Sequence, residues 1–109
     1  MEVLKIDKVD VDPLSAVPMR NLFEKMNVSG NLKMGTVSIP AGKRVPVEGV
    51  SKHTENEYSI IVKGSLAVES GGTTYRISSG DATFIPAGEE HIAFNDGEED
   101  CEIIWVLVG

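Results

Sequence analysis

Cysteine occurs once in this chain, at Cys101, so no internal disulfide can form and nothing about the fold depends on an oxidising compartment. Basic residues are scarce: ten Lys and Arg stand against seventeen Asp and Glu, for a formal charge of −7. That balance repels a phosphate backbone and anionic lipid alike, which removes nucleic acid and membrane surfaces from the expected partners. No apolar run approaches the roughly 20 residues that span a bilayer. Met1 to Asp10 alternates charged and apolar residues and lacks the apolar centre of a signal peptide, so the cytoplasm is the expected location. Histidine occurs only twice, at His53 and His91. The chain also has little that reads as helix, no nucleotide-binding glycine loop, no Ser-His-Asp arrangement, no internal repeat and no linker.

What is present suits one soluble domain. A length of 109 residues is enough for one core but not for two, and 41% hydrophobic with 25% charged residues is the composition of a globular chain. Short apolar runs alternate with turn signals. Strands are expected at Val3 to Ile6, Leu32 to Ile39, Glu57 to Val62, Leu66 to Glu69, Thr73 to Ile77, Ala82 to Ile85 and Glu102 to Val108. Asp10-Val11-Asp12-Pro13 reads as a break, and Pro18 limits the irregular Leu14 to Met26 segment to an extended arm or one short helical turn. Ser70-Gly71-Gly72 reads as a hairpin turn. In the last strand Ile103, Trp105 and Leu107 fall on one face and Ile104, Val106 and Val108 on the other, so both faces require cover. Strands recurring at this spacing point to an all-β sandwich or barrel, and the doubly apolar strand favours a barrel wall packed from outside by the amino-terminal arm or a second subunit.

The most informative stretch runs from Gly80 to Asn95. Gly80-Asp81 supplies a tight turn, Ala82 to Ile85 a short buried strand, and Pro86-Ala87-Gly88 a stop, after which His91 is followed by apolar Ile92, Ala93 and Phe94. Gly80, Pro86, Gly88, His91 and Asn95 fill every fixed position of Gly-x5-Pro-x-Gly-x2-His-x3-Asn, and in this the segment resembles the second motif of the cupin superfamily. The first motif of that family is His-x-His, three or four residues, Glu, six residues, Gly. Here His53, Glu57 and Gly64 hold their places, while Ser51 stands where the first histidine belongs. The resemblance covers Pro40 to Val108. It implies a double-stranded β-helix, the jelly-roll cupin barrel, as a single domain over 1–109 with 1–30 as amino-terminal strand and arm and 31–109 as barrel. It also implies a homodimer.

On an extended strand Ser51, His53, Glu55 and Glu57 share one face. If that face looks into a barrel, imidazole and carboxylate are buried together, which a bound cation would compensate. His53, Glu57 and His91 then offer two imidazoles and one carboxylate, a set suited to Fe and compatible with Mn, Co, Ni or Zn, with positions left open. A histidine in a small domain is more often a surface residue than a ligand; what singles out these two is that both fall on motif positions. Cupins usually use three histidines and one glutamate, so the site is one ligand short at Ser51, which leaves room for substrate.

Around this site, Glu55 reads as a rim carboxylate and only a guess at a base; Glu89 and Glu90 as exposed turn residues; Asn95 as a turn residue; Cys101 as a buried, inert thiol; and Trp105 and Phe84 as core. Tyr58, Arg44 and Arg76 have no spacing that separates a ligand contact from ordinary surface placement. The catalytic residues are unknown. The expected function is a metal-binding cupin acting on a small organic molecule in the barrel, as isomerase, lyase, decarboxylase or dioxygenase. The alternative is a non-catalytic small-molecule binding or sensing module with a degenerate metal site, and a structural role beside another protein is a third.

Overall fold

Nine strands arranged in two facing antiparallel sheets account for nearly all regular structure in the computed structural model, which describes residues 1–109. In chain order they are β1 (Met19–Asn27), β2 (Gly30–Ile39), β3 (Arg44–Val45), β4 (Asn56–Lys63), β5 (Ser65–Ser70), β6 (Thr73–Ser78), β7 (Ala82–Ile85), β8 (His91–Phe94) and β9 (Cys101–Val108). A five-stranded sheet has the order β1-β2-β9-β4-β7, and a four-stranded sheet the order β3-β8-β5-β6. Neighbours in sequence thus often lie in opposite sheets, which is how a jelly roll closes around its interior. No helix is long and apolar enough to cross a membrane.

The strands expected from turn chemistry all form within a residue or two of their expected ends, apart from the first. Val3 to Ile6 is no strand: its apolar side chains stay exposed and the chain makes a single 3-10 turn at Ile6–Lys8. This arm finds no strand partner and is tied down by its ends, with Glu2 paired to Lys25 and the Val9 carbonyl accepting from Arg20 Nε at 2.9 Å. The segment expected to hold an arm or helical turn instead contributes the nine-residue β1. A register shift between Asn21 and Phe23 breaks its alternation, which hides the strand from a period-two reading.

The core lies between the sheets, where Ile39, Ile61, Leu66, Cys101 and Ile103 are buried and Val37, Val45, Val68, Ile77 and Ala93 pack against them. Trp105 is buried beside Gly35. A Cβ built at Gly35 would sit 2.3 Å from Trp105 Cζ2 and 2.4 Å from the Arg20 carbonyl oxygen, so the indole occupies space that any other residue would fill. Phe84, in contrast to its expected core position, is 53% exposed. It pairs with Tyr58 across β4 and β7, with ring centroids 5.0 Å apart, on the outer face of the five-stranded sheet. Side chains alternate along β7, so the inward positions go to Thr83 and Ile85.

Cys101 is fully buried, as expected, and desolvation pushes its thiol up to about 11, helped by Glu102 and Glu99. A raised acid pKa means that between about pH 9 and 11 the unfolded chain loses the proton while the folded chain keeps it. Stability therefore falls as pH rises through that window, by about 1.4 kcal/mol per pH unit at most. At neutral pH the thiol should react with a disulfide reagent only as fast as the protein unfolds, a rate that denaturant titration can check. Fast stoichiometric labelling of the native protein would contradict it.

Candidate metal centre

Two chain segments carry the site, the loop leading into β4 and the turn leading into β8, and the backbone stitches them together. Ser51 and His91 exchange both amide-to-carbonyl hydrogen bonds at 2.9 Å. Gly88 N–H donates to the His53 carbonyl at 2.7 Å and Ala87 N–H to Asn56 Oδ1 at 2.8 Å. Gly88 adopts φ +82, a left-handed conformation open to glycine with little strain, and this turn aims its amide at the first loop. The motif glycine is thus a fastener between the two motif segments. Glu57 follows on β4, held by β9 on one side and β7 on the other.

The result brings His53, Glu57 and His91 together, with one donor atom from each lying within 4.8 Å of the others. His53 Nε2 is 3.7 Å from Glu57 Oε1, and the two imidazole centroids are 5.1 Å apart. His91 Nδ1 lies 3.0 Å from the Glu89 carbonyl oxygen. A carbonyl only accepts, so that nitrogen carries the proton and the Nε2 lone pair is left free, the orientation a histidine ligand needs. Donors about 2.1 Å from one shared ion stand roughly 3.0 to 4.2 Å apart. Small side-chain rotations therefore suffice to close this triad on a divalent transition metal, and the donor chemistry fits it.

The remaining expectations divide. Ser51 lines the same cavity beside His91. Glu55 does not: the chain bends at Thr54 and Glu55 before β4 begins, which breaks the alternation assumed for an extended strand, and Glu55 Oε1 accepts from Thr54 Oγ1 instead. Arg44 donates to the Pro46 and Gly49 carbonyls, Arg76 pairs with Asp96, and Tyr58 faces outward. The Arg76 guanidinium beside Asp96 holds that carboxyl below the usual carboxylate range. Asn95 is a turn residue in that its Oδ1 accepts from Gly97 N–H at 2.9 Å, but it is also fully buried and fastens two other segments.

Glu89 is the residue that sequence reasoning undervalued. It is half-buried, lines the cavity, and accepts from the buried Ser70 hydroxyl at 2.6 Å. Along β5 the inward positions run Leu66, Val68, Ser70 and so end in a polar group opposite His91, a pattern that the pairing of β5 with β8 turns into a site.

Comparison with known proteins agrees with this architecture. The family model described as "Cupin domain" matches residues 35–107. A crystal structure from Thermotoga maritima, described as a predicted oxalate decarboxylase, is 26% identical over 98% of both chains with a TM-score of 0.84. A Cupin 2 conserved barrel domain protein from Salinispora arenicola is 20% identical over 98% of this chain and 87% of its own, with a TM-score of 0.77. The Cnp3 cupin domain of Schizosaccharomyces pombe is 19% identical over 94% of this chain and 70% of its own, also with a TM-score of 0.77. Among curated proteins, no sequence matches.

Proposed function

The chain belongs to the cupin domain family, and from that premise we propose that it binds a divalent transition metal through His53, Glu57 and His91 and acts on a small organic molecule held inside the barrel. The observation that carries this reading is the convergence of the three donors, from one loop and two separate strands, at a cavity of about 640 Å³. That volume lies in the range of small-molecule sites.

When bound, an ion with open positions would polarise a carbonyl of the substrate and stabilise negative charge developing on it. The chain's own groups do the rest. The Ser70 hydroxyl orients the Glu89 carboxylate, the cavity carboxylate best placed to give or take a proton, and the apolar wall lies beyond it to hold the rest of the ligand. Isomerase, lyase and decarboxylase chemistry all require such a group. The description of the Thermotoga protein raises oxalate as one candidate substrate for this chain.

Metal analysis tests the proposal. Protein purified and then supplemented with iron, manganese, nickel or zinc should retain close to one equivalent of at least one of them after dialysis. Retention of none sinks the metal reading. Binding without turnover is the second reading, favoured by Ser51 in place of a fourth protein ligand; it expects saturable ligand binding with no product from any metal form.

The outer face of the five-stranded sheet supports a homodimer. Tyr58, Ile60 and Phe84 are each about half exposed there, beside Ile104 and Val106, and the amino-terminal arm does not cover them. A contiguous apolar face of this kind marks an interaction surface. Sedimentation should report a dimer for the wild type and a monomer for Ile60→Asp; a monomeric wild type would remove this part of the proposal.

A further inference from the structure

The barrel interior is polar at one end and apolar at the other, and its charge is almost entirely of one sign. On β4 the inward row runs Glu57, Ser59, Ile61, and on β5 it runs Ser70, Val68, Leu66, with Ser70 opposite His91 and Val68 opposite Ala93. Because His91 and Glu57 meet, both rows begin at the same end. Beyond them the cavity is walled by Val37, Ile39, Ile61, Leu66, Ile103 and Trp105. A ligand directed at the triad therefore lays its remaining atoms against hydrocarbon.

Cations are nearly missing from this interior. All three arginines are engaged elsewhere, Arg20 on the Val9 carbonyl, Arg44 on Pro46 and Gly49, and Arg76 on Asp96. Of the lysines, only Lys33 lines the cavity; it faces inward on β2, with the Leu107 position of β9 between it and Glu57 and with Glu24 as its cross-strand partner on β1. Asp12, Glu57 and Glu89 are also part of the lining. A divalent ion partnered by Glu57 keeps one net positive charge, enough for one carboxylate, and the nearby Glu89 reduces even that. Lys33 sits at the Glu57 end of the cavity, so a second carboxylate at the far end of an extended ligand would meet the apolar wall with no charged donor to receive it, and a desolvated unpaired carboxylate is strongly disfavoured.

We infer that the cavity selects an amphiphilic ligand with one polar head and an aliphatic or aromatic body, carrying at most one negative charge, and rejects extended dicarboxylates whose second carboxylate would lie against the apolar wall. The inference rests on the barrel being the small-molecule site proposed above, and it sharpens that reading by naming the substrate class.

Trp105, the one tryptophan of the chain, lines the cavity and reports its occupancy through its emission. The test titrates zinc-loaded and metal-free protein with 2-heptanone, heptanoate and heptanedioate, which vary the charge at constant chain length. On the zinc form, heptanoate should bind at least about 30-fold more tightly than heptanedioate. 2-Heptanone should bind both forms, since it needs only the apolar wall. Heptanedioate binding as tightly as heptanoate would overturn the inference.

The two readings fail separately. If the protein retains no zinc, 2-heptanone against heptanedioate on the metal-free form still tests the charge selection, while the metal proposal falls alone. Two variants locate the site. Val68→Phe fills the apolar wall and should lose the 2-heptanone response while keeping zinc. Thr83→Arg, at a half-buried inward position of an edge strand, adds the missing cation and should strengthen heptanedioate binding about tenfold. An unchanged 2-heptanone response in a folded Val68→Phe, or no gain in a folded Thr83→Arg, counts against the assignment.

Discussion

Replacing His91 with alanine is expected to remove metal retention while leaving the barrel folded. The side chain supplies one of only three donors, and its backbone, not its imidazole, holds the bridge to Ser51, so that bridge survives the substitution. Two donors remain, four residues apart on one segment, and the affinity should fall on the order of 100-fold or more. The thermal readout follows by mass action. Metal at about 100 times its dissociation constant stabilises the native wild type by roughly 2.7 kcal/mol, and that increment should vanish in His91→Ala and His53→Ala. Metal content and melting temperature, each measured with and without added metal, check the expectation. A His91→Ala protein that keeps its full metal load would place the ion elsewhere.

The complementary gain is sharper still. Ser51 lies directly across from His91 on the neighbouring loop and borders the same cavity. Ser51→His should therefore add a fourth donor and tighten metal binding by about 10- to 100-fold. No change in affinity would mean that position 51 does not address the ion.

Asn95→Ala is expected to be the most destabilising single change among the motif residues. Asn95 is fully buried and uses its whole amide: Nδ2 donates to the Ile39 carbonyl at 2.7 Å and to the Glu99 carbonyl at 2.8 Å, and Oδ1 accepts from Gly97 N–H. Its backbone is bonded as well, to Gly42 N–H and the Lys43 carbonyl. It thereby ties β8 to the end of β2 and to the acidic loop ahead of β9. Truncation leaves two carbonyls and one amide without partners and opens a small cavity, for a loss of about 3 to 5 kcal/mol. Against a typical total of about 5 to 15 kcal/mol, that lowers the melting temperature by on the order of 15 °C.

Asn95→Asp separates hydrogen bonding from shape. The carboxylate is nearly isosteric, but it presents an acceptor to the Ile39 and Glu99 carbonyls where a donor is required. It should destabilise at least as much as alanine at neutral pH. Thermal or urea unfolding measures both variants, and an Asn95→Asp protein as stable as wild type would show that the amide bonds do not hold this corner.

Where local chemistry decides, the sequence is legible. Turn residues such as Gly71-Gly72 and Pro86-Ala87-Gly88 end strands by their own backbone preferences, and Ala82 to Ile85 forms as β7 with the expected ends. The resemblance of the two motif segments to the cupin pattern likewise names His53, Glu57 and His91 as a group, and the structure brings their donor atoms near one another. Where two chain segments decide together, the sequence is silent. Phe84 looks like core until the pairing with β4 shows that Thr83 and Ile85 take the inward positions. β1 hides behind a register shift, and Glu55 leaves the cavity because the chain bends just before β4.

By itself the sequence determines the all-β class and most strand positions, since alternation and turn preference act over a few neighbours, while its resemblance to the cupin motifs singles out His53, Glu57 and His91 as candidate metal ligands. Only the tertiary structure decides that Gly88 fastens the two motif loops, that Ser70 delivers Glu89 to the site, that Asn95 is a buried clamp, and that every arginine is engaged outside the cavity. Those facts depend on which face each strand turns inward and on which distant segment lies opposite. Pairing between sheets settles both, and no short-range signal encodes it.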